Sequence, residues 1–425
     1  MQKMDFKRKG EWPITKAMES VSLHLLHRAK QLEVDTVAPM ALVLSLFFPF
    51  YVSVVTVSIV AVMTMVNYRM RAKALEAPYC KPLLGVLIVP FFVSAVYNNY
   101  MGMLYSMLVL AAAVCAFYLR SIMTRALFNR MMDAACVASI VCAAVALIQK
   151  AAYFAATPDY RPASVFSNAN YYGMMIEFLV LIALYRLFTN PKERVFYGIV
   201  IAVNMMGLYL CASMSACMGL LCAVLVLLYL KKYYKWMAVF LAVAAVAAVS
   251  SLLFPILFPR VEAIDSTFGQ RLSIWSAAVQ GIRSHLLFGM GPTSYQMIYR
   301  VFDGYQTYHC HNLLLDTLLN YGLLGAGGIG LYLFVQCKVL WLRFRNHICT
   351  EMNILLTAAF TAVVVHGVTD VTIYWIQTGM LFLILFSSTG ICADYVESKL
   401  RLPKLLHLSG EQAGAYMRAG SYLHR

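Results

Sequence analysis

Residues 37–66 read VAPMALVLSLFFPFYVSVVTVSIVAVMTMV, and no charged side chain stands between Asp35 and Arg69. The run fits either one long span or two helices folded back near Pro49, and the rest of the chain decides between them. The chain has 425 residues, 62% hydrophobic and 12% charged, with a mean hydropathy of +0.72. A charged share about half the usual one cannot clothe a soluble core of this size. Apolar runs of roughly 20 residues, each long enough to cross about 30 Å of hydrocarbon, recur from end to end. The composition specifies a polytopic membrane protein.

Spans are expected near 32–49, 51–68, 83–98, 101–119, 131–154, 171–188, 195–211, 213–230, 236–258, 319–341, 352–370 and 373–393, an all-α fold of about twelve transmembrane helices. Lys and Arg gather in alternate connections: the N-terminal segment, 69–81, 120–130, 186–194, 231–235, 338–345 and the C-terminal tail. These hold 28 of the 34 basic residues, and the other six are Lys150, Arg161, Arg260, Arg271, Arg283 and Arg300. The positive-inside rule then puts both termini in the cytoplasm. It also settles the opening run. A single span would carry Arg69, Arg71, Lys73 and Lys81 outside, whereas a break near Pro49 keeps them inside. The net charge of +15 thus reports orientation, and no stripe for binding nucleic acid is visible. The expected organisation is a cytoplasmic segment 1–31, nine helices over 32–258, an extracytoplasmic catalytic loop 259–318 containing short helices, three helices over 319–393, and a cytoplasmic tail 394–425.

The N-terminus lacks the short apolar core and small-residue cleavage site of a secretory signal. Val21, Leu25, Ala29 and Leu32 have the spacing of an interfacial helix over 16–34, although a plain cytoplasmic lead-in accounts for them as well. The eleven cysteines form no disulfide spacing. Cys115, Cys136, Cys142, Cys211, Cys217 and Cys222 fall inside apolar runs, where cysteine behaves as a small hydrophobe. Cys310 is read as a packing residue too.

Two outer segments are long enough to do chemistry, 155–170 (AATPDYRPASVFSNAN) and 259–311. In the second, Gln270–Ser284 reads as a helix with Leu272, Trp275, Val279 and Ile282 on one face. Five of the six outer basic residues are arginines, whose planar fork grips a diphosphate as lysine cannot. Scattered snorkelling arginines paired with Glu262, Asp265 and Asp303 would give the same count. Glu177 sits within an apolar run, at a cost of about 2.5–3.5 kcal/mol if ionised near mid-membrane. It is expected to be protonated or paired with an arginine. His366 and Asp370, four apart, share a helical face near the outer end of a span, and a hydrogen bond between them is as reasonable as a catalytic role.

The stretch YHCHNLLLDTLLNYGLLG, Tyr308–Gly325, sets titratable groups at the mouth of a leucine- and glycine-rich run. Asn312, Asp316 and Asn320 recur every four residues as one polar stripe. Gly322 ends it, and Gly325, Gly328 and Gly330 allow close helix approach. His311 opens this helix on the outer side. An imidazole of pKa about 6.5 can take a proton from an alcohol near neutrality, and a structural role is equally common. His309 and His311 could chelate a metal if extended, yet no third ligand follows at metal-site spacing, so none is expected. Gly289–Pro292 (GMGP) is no dinucleotide fingerprint; a tight turn with backbone donors facing an anion is the alternative.

Three blocks resemble the superfamily of O-antigen ligases and O-antigen polymerases, bacterial membrane glycosyltransferases of GT-C type. HNLLLDTLLNYGLLG, from His311, is similar to that family's signature of His-Asn/Ser, a leucine-rich run and Gly-Leu-Leu-Gly. RLSIWSAAVQGIRSHLLFGMGPTSY, from Arg271, is similar to its Arg, Trp, Pro-Leu-Phe-Gly-x-Gly segment, with Ser284-His285 where proline is commoner. RPASVFSNANYYG, from Arg161, resembles its Arg-x-x-Gly-x-Phe-x-Asn-Pro-Asn pattern and departs at Ala163-Ser164 and Ala169. Elsewhere the likeness is hydropathy alone. In LCASMSACMGL, Met214 stands where a family arginine is expected, so either Arg161 or Arg260 takes its phosphate contact or the donor is held differently.

The resemblance implies a metal-independent, inverting glycosyltransferase with no cofactor, multi-pass in the cytoplasmic (inner) membrane. Its donor would be a glycan on a polyprenyl diphosphate such as undecaprenyl diphosphate, and its acceptor a glycan or lipid. The product would be cell-surface polysaccharide of the O-antigen, capsule or exopolysaccharide type. His311 is implied as the base, Asp316 as the group orienting it or the acceptor, and Arg161, Arg260 and Arg271 as diphosphate ligands. Asn170, Glu177, Asn312, His309 and Asp370 are supporting groups. The competing reading is a flippase or transporter of lipid-linked sugars, which should line its path with charge, whereas charge here is sparse within the spans. A non-catalytic scaffold would leave the Arg and His set without a reason. Polymerase and ligase share these motifs.

Overall fold

The computed structural model describes residues 33–157, 159–254 and 264–393. The expected interfacial helix before residue 33, the tail after 393 and Arg260 lie outside them. All regular elements among the described residues are helical: α1 (33–45), α2 (Phe50–Val66), α3 (Tyr68–Glu76), α4 (Cys80–Val96), α5 (Tyr100–Ile122), α6 (Arg125–Tyr153), α7 (Ala169–Thr189), α8 (Arg194–Cys211), α9 (Met214–Leu230), α10 (Tyr234–Leu253), α11 (Ile264–Ser284), α12 (Tyr295–Ile298), α13 (Leu313–Arg345), α14 (Thr350–Gly367) and α15 (Ile376–Ser387).

The opening run breaks near Pro49, as expected. α1 stops at 45, and Pro49 stands immediately before α2, where a missing N–H and a fixed φ are tolerated. The carbonyls freed at the break find donors: Ser53 Oγ reaches Ser45 O (2.9 Å), and Gln377 Nε2 reaches Phe48 O (2.7 Å). α3 then leaves α2 at 97°, with Asn67 capping it by accepting from Arg69 N and Met70 N. Arg69, Arg71 and Lys73 therefore lie on a short helix turned off the span, where the sequence suggested a loop.

Among the described residues, seven helices are long and apolar enough to cross a membrane, or eight if α2 and α3 form one bent span. α4 and α9, at 17 residues each, and the Ile376–Gly390 stretch are shorter. About twelve spans is thus more than length and composition establish. α9 is short because Ala212 turns left-handed (φ 47°) before it and the chain turns again at Lys231.

The main core forms around α7, whose residues are apolar and buried on nearly every side and which packs against α6, α8, α9 and α14. A smaller core joins α11, α12 and the start of α13 through Ile274, Ala277, Ala278, Tyr295, Ile298, Cys310 and Leu319. α11 buries the face expected of it only in part, through Trp275 and Ile282, which pack against this core. Ile274, Ala277, Ala278 and Gly281 point inward, while Leu272 is exposed. Small residues win the inner face because α11 lies close to its neighbours. A Cβ added at Gly281 would collide with Ile298 and stand 2.9 Å from Leu319.

α13 is two helical pieces joined at Gly322 (φ 62°, ψ −174°). The GMGP turn fills the break. Met290 N donates to Leu319 O (3.1 Å), Gly291 N to Asn320 O (2.9 Å) and Leu323 N to Leu286 O (2.8 Å). Both crossing points need glycine, since a Cβ on Gly289 would meet Leu319 O at 2.6 Å and one on Gly322 would strike Leu287 O. Met290 N and Gly291 N are therefore engaged by a helix end and not turned to an anion. Of the later glycines, Gly328 is the one against another helix, its added Cβ 2.8 Å from Val86.

Candidate active site

The loop carrying Arg161 is pinned before α7 begins. Gln149 of α6 brackets Ser164, accepting from Ser164 N (2.8 Å) and donating to Ser164 O (2.9 Å), and Lys150 Nζ donates to Tyr160 O (2.9 Å). Asn168 caps α7 by accepting from Asn170 N and Tyr171 N, which fixes where Asn170 projects. Arg161 is then held at both ends of its guanidinium. Nε donates to Cys211 O at the end of α8 (2.8 Å), and Nη2 to Asn170 Oδ1 (2.7 Å).

Arg161, Asn170 and Arg271 line one cavity of ≈ 370 Å³, within the usual range of ligand pockets. Met214, Met218 and Phe268 supply apolar wall, and the hydroxyls of Ser215 and Thr369 face one another there at 2.7 Å. Two of the five outer arginines thus share a site. Arg283 is exposed, and Arg300 lies over the Tyr299 ring, 5.5 Å from its centroid. Met214, the departure from the family pattern, sits on the wall three residues beyond the carbonyl that Arg161 grips.

From the cavity a polar chain leads to the histidines. Asn170 Nδ2 donates to Asp370 Oδ2 (2.7 Å), and Asp370 Oδ1 accepts from Val371 N (2.8 Å). The same Oδ1 faces His311 Nδ1 at 3.3 Å and His309 Nε2 at 3.9 Å. The His311 approach lies off the line of a hydrogen bond, and Nδ1 makes none. His311 sits at φ 46°, with its carbonyl 3.4 Å from Trp275 Nε1 and its Nε2 3.2 Å from Thr307 Oγ1. His309 Nε2 lies 3.2 Å from the Tyr171 hydroxyl.

Asp370 and His309 lie in connections outside the membrane-spanning helices. Burial alone would raise the Asp370 carboxyl, but the imidazoles of His311 and His309 outweigh it and hold Asp370 well below the usual carboxylate range. Burial pushes His309 down to about 4, against the pull of Asp370. Near neutrality the cluster is therefore a carboxylate beside a neutral His309.

Asp316 is not the carboxylate that faces His311. Its Oδ1 accepts from Cys310 N (2.9 Å) and its Oδ2 from Asn320 Nδ2 (2.7 Å), while Asn320 Oδ1 accepts from Ser294 Oγ (2.6 Å). The polar stripe is a fastening that holds the two histidines and the GMGP turn to α13. Asn312 caps α13 by accepting from Leu315 N and donates to Val368 O (2.9 Å), tying the helix start to the cavity wall. Glu177, buried, pairs with His366 Nδ1 at 2.5 Å, so the expected arginine partner is a histidine. His366 and Asp370 consequently turn to different partners. The one sequence signal for Asp370 was its spacing from His366.

Residues 196–330 match the family model Wzy_C, described as O-antigen ligase. The match runs from α8 into α13 and takes in Met214, Arg271 and His311. No curated protein sequence matches the chain.

Proposed function

Membership of the O-antigen ligase family, supported by the match over residues 196–330, is the premise from which we propose that this membrane protein transfers glycan from a polyprenyl-diphosphate carrier to an acceptor hydroxyl. The reaction takes place at the outer face of the cytoplasmic membrane and serves cell-surface polysaccharide synthesis. One observation supports the reading: hydrogen bonds lead from Arg161 in the cavity through Asn170 to Asp370, whose other oxygen faces His311 Nδ1 at 3.3 Å.

In this reading the diphosphate lies against Arg161 and Arg271, with Arg161 in the place of the family arginine that Met214 lacks. The acceptor hydroxyl gives its proton to His311 Nε2, and its oxygen bonds to the anomeric carbon. The bond from that carbon to the diphosphate breaks, its electron pair leaving on the phosphate oxygen, where the arginines stabilise the growing charge. Asp370 turns Nδ1 toward itself and steadies the imidazolium, as the aspartate does for histidine in catalytic triads. Attack opposite the leaving group inverts the anomeric configuration. No step is assigned to a metal. Asn170 and Asn312 position the groups around them, and Asp316 holds the loop. The transport alternative gains no support from the family match.

Reconstitution in liposomes with a polyprenyl-diphosphate glycan and a candidate acceptor tests the reading. His311→Ala should lower transfer by about 10²–10⁴-fold, the usual worth of a general base, with thermal stability and insertion retained. Normal transfer by a folded His311→Ala protein would remove the base from the mechanism. Comparing glycan with lipid acceptors separates polymerase from ligase.

A further inference from the structure

We propose that His309, His311 and Asp370 form a binding site for a late first-row divalent metal such as zinc, and that an ion held there blocks the transfer described above. Only the blocking rests on that functional reading. The binding itself stands on geometry.

In a tetrahedral zinc site with bonds of about 2.0–2.1 Å, neighbouring donor atoms stand about 3.3–3.4 Å apart. His311 Nδ1 already lies 3.3 Å from Asp370 Oδ1, and His309 Nε2 lies 3.9 Å from it. All three donor atoms fall within 4.8 Å of one another. One edge of the tetrahedron is in place, a second needs about half an ångström of closure, and the third, between the two imidazole nitrogens, needs at most about 1.4 Å to reach the spacing zinc takes. A second observation points the same way. His311 Nδ1 is buried against a carboxylate yet makes no hydrogen bond.

The remaining atoms of Asp370 and His311 are held as metal ligands usually are, by polar neighbours that fix their orientation. Asn170 Nδ2 holds the other Asp370 oxygen (2.7 Å), and Thr307 Oγ1 lies 3.2 Å from His311 Nε2. The contact from His311 N to His309 Nδ1 (3.3 Å) has to open on binding, because a neutral His309 bound through Nε2 carries its proton on Nδ1. Binding requires the Tyr171 hydroxyl, now 3.2 Å from His309 Nε2, to turn aside. Two imidazoles and one carboxylate suit zinc, cobalt, nickel or copper better than magnesium or calcium, which prefer all-oxygen sites. The sequence hid the site because its third ligand arrives from beyond α14.

The consequence follows from imidazole chemistry. A neutral His311 bound to metal through Nδ1 carries its proton on Nε2, so Nε2 has no lone pair to accept a proton from the acceptor. The ion also takes the Asp370 oxygen that faces the ring. Metal and base therefore compete for the same histidine.

The test is titration of the purified, chelator-treated full chain in detergent with zinc by calorimetry and with cobalt by visible absorption. Expected are one ion per chain, the intense cobalt bands of a four-coordinate site, and at least tenfold weaker binding in both His309→Ala and Asp370→Asn. His347→Ala, in the loop between α13 and α14, should bind as the parent does. Absent stoichiometric binding, or unchanged affinity in the two ligand variants with their cobalt spectrum intact, would overturn the site. In the liposome assay, zinc should suppress the parent and spare whatever rate His309→Ala retains. Zinc binding without loss of transfer would overturn the blocking. Binding in a protein that transfers no glycan under any condition would leave the metal site standing and count against the functional reading alone.

Discussion

At the scale of single residues, charge and shape separate at Arg271. Lysine there keeps the positive charge but loses the two-pronged fork. A hydrogen bond to a charged group is worth about 1.5–3 kcal/mol, so Arg271→Lys should lower kcat/KM by about 10- to 100-fold, whereas Arg300→Lys, over Tyr299 and away from the cavity, should change little. Equal activity of the Arg271 variant would show that charge alone suffices. His309 gives a pH prediction. Its pKa lies at about 4 in the folded chain against 6.5 for the free side chain. Between those values the unfolded imidazole holds a proton that the folded one has shed, so stability falls as pH drops through that window. The loss reaches about 2 kcal/mol by pH 5, at 1.36 kcal/mol per unit. Melting temperature should therefore fall less steeply from pH 7 to 5 in His309→Asn than in the parent, and parallel slopes would place the proton uptake elsewhere. The arginines stood out by residue type, and the family resemblance, not the chemistry of the stretch, singled out His311 over His309. The partner of His311 was not legible, because Asp316 is near in sequence and Asp370 is near only once α14 lies beside α13.

At the scale of elements, the buried Glu177–His366 pair fastens α7 to α14 below the cavity. Both residues are fully buried, and Glu177 Oε2 and His366 Nε2 have no hydrogen-bond partner. Glycine at 219 makes room for the carboxylate, since a Cβ there would stand 2.6 Å from Glu177 Oε2. Removing one member strands the other in the interior, at about 3–5 kcal/mol, while replacing both with apolar groups is often near neutral. Glu177→Leu and His366→Leu should each lower the melting temperature sharply, and the double variant should recover most of the loss. Additive losses would mean that the two groups act independently. The sequence showed that Glu177 had to be protonated or paired, because an unpaired charge in an apolar run is costly. It could not show which partner, since His366 is on a helix far along the chain. The break at Pro49 was readable for the opposite reason: the basic residues that decide it lie close by. Likewise hydropathy marked α11 as a helix but not its inner face, which Ala277, Ala278 and Gly281 hold by being small.

At the scale of the whole molecule, one end of the bundle assembles the site. The starts of α7, α9 and α13 and the ends of α8 and α14 meet there, joined by Arg161 to Cys211 O and by Asn312 to Val368 O. The opposite end carries charge pairs that hold helix ends together: Lys231 with Glu351 (2.8 Å) and Arg186 with Asp133 (2.6 Å). Most of the basic residues among the described ones belong to that second end, so by the positive-inside rule we propose that it faces the cytoplasm and the His311 end faces outward. A lipid-linked donor displayed on the outer leaflet requires this sidedness. Arg300 and Lys192 are both exposed and lie toward opposite ends. In intact cells a membrane-impermeant maleimide should label Arg300→Cys above the background of the parent's own cysteines. Lys192→Cys should label only after the membrane is opened. The reverse pattern would put Arg161, Arg271 and His311 in the cytoplasm, where an outer-leaflet glycan cannot reach them, and the transfer reaction would have to be abandoned along with the topology.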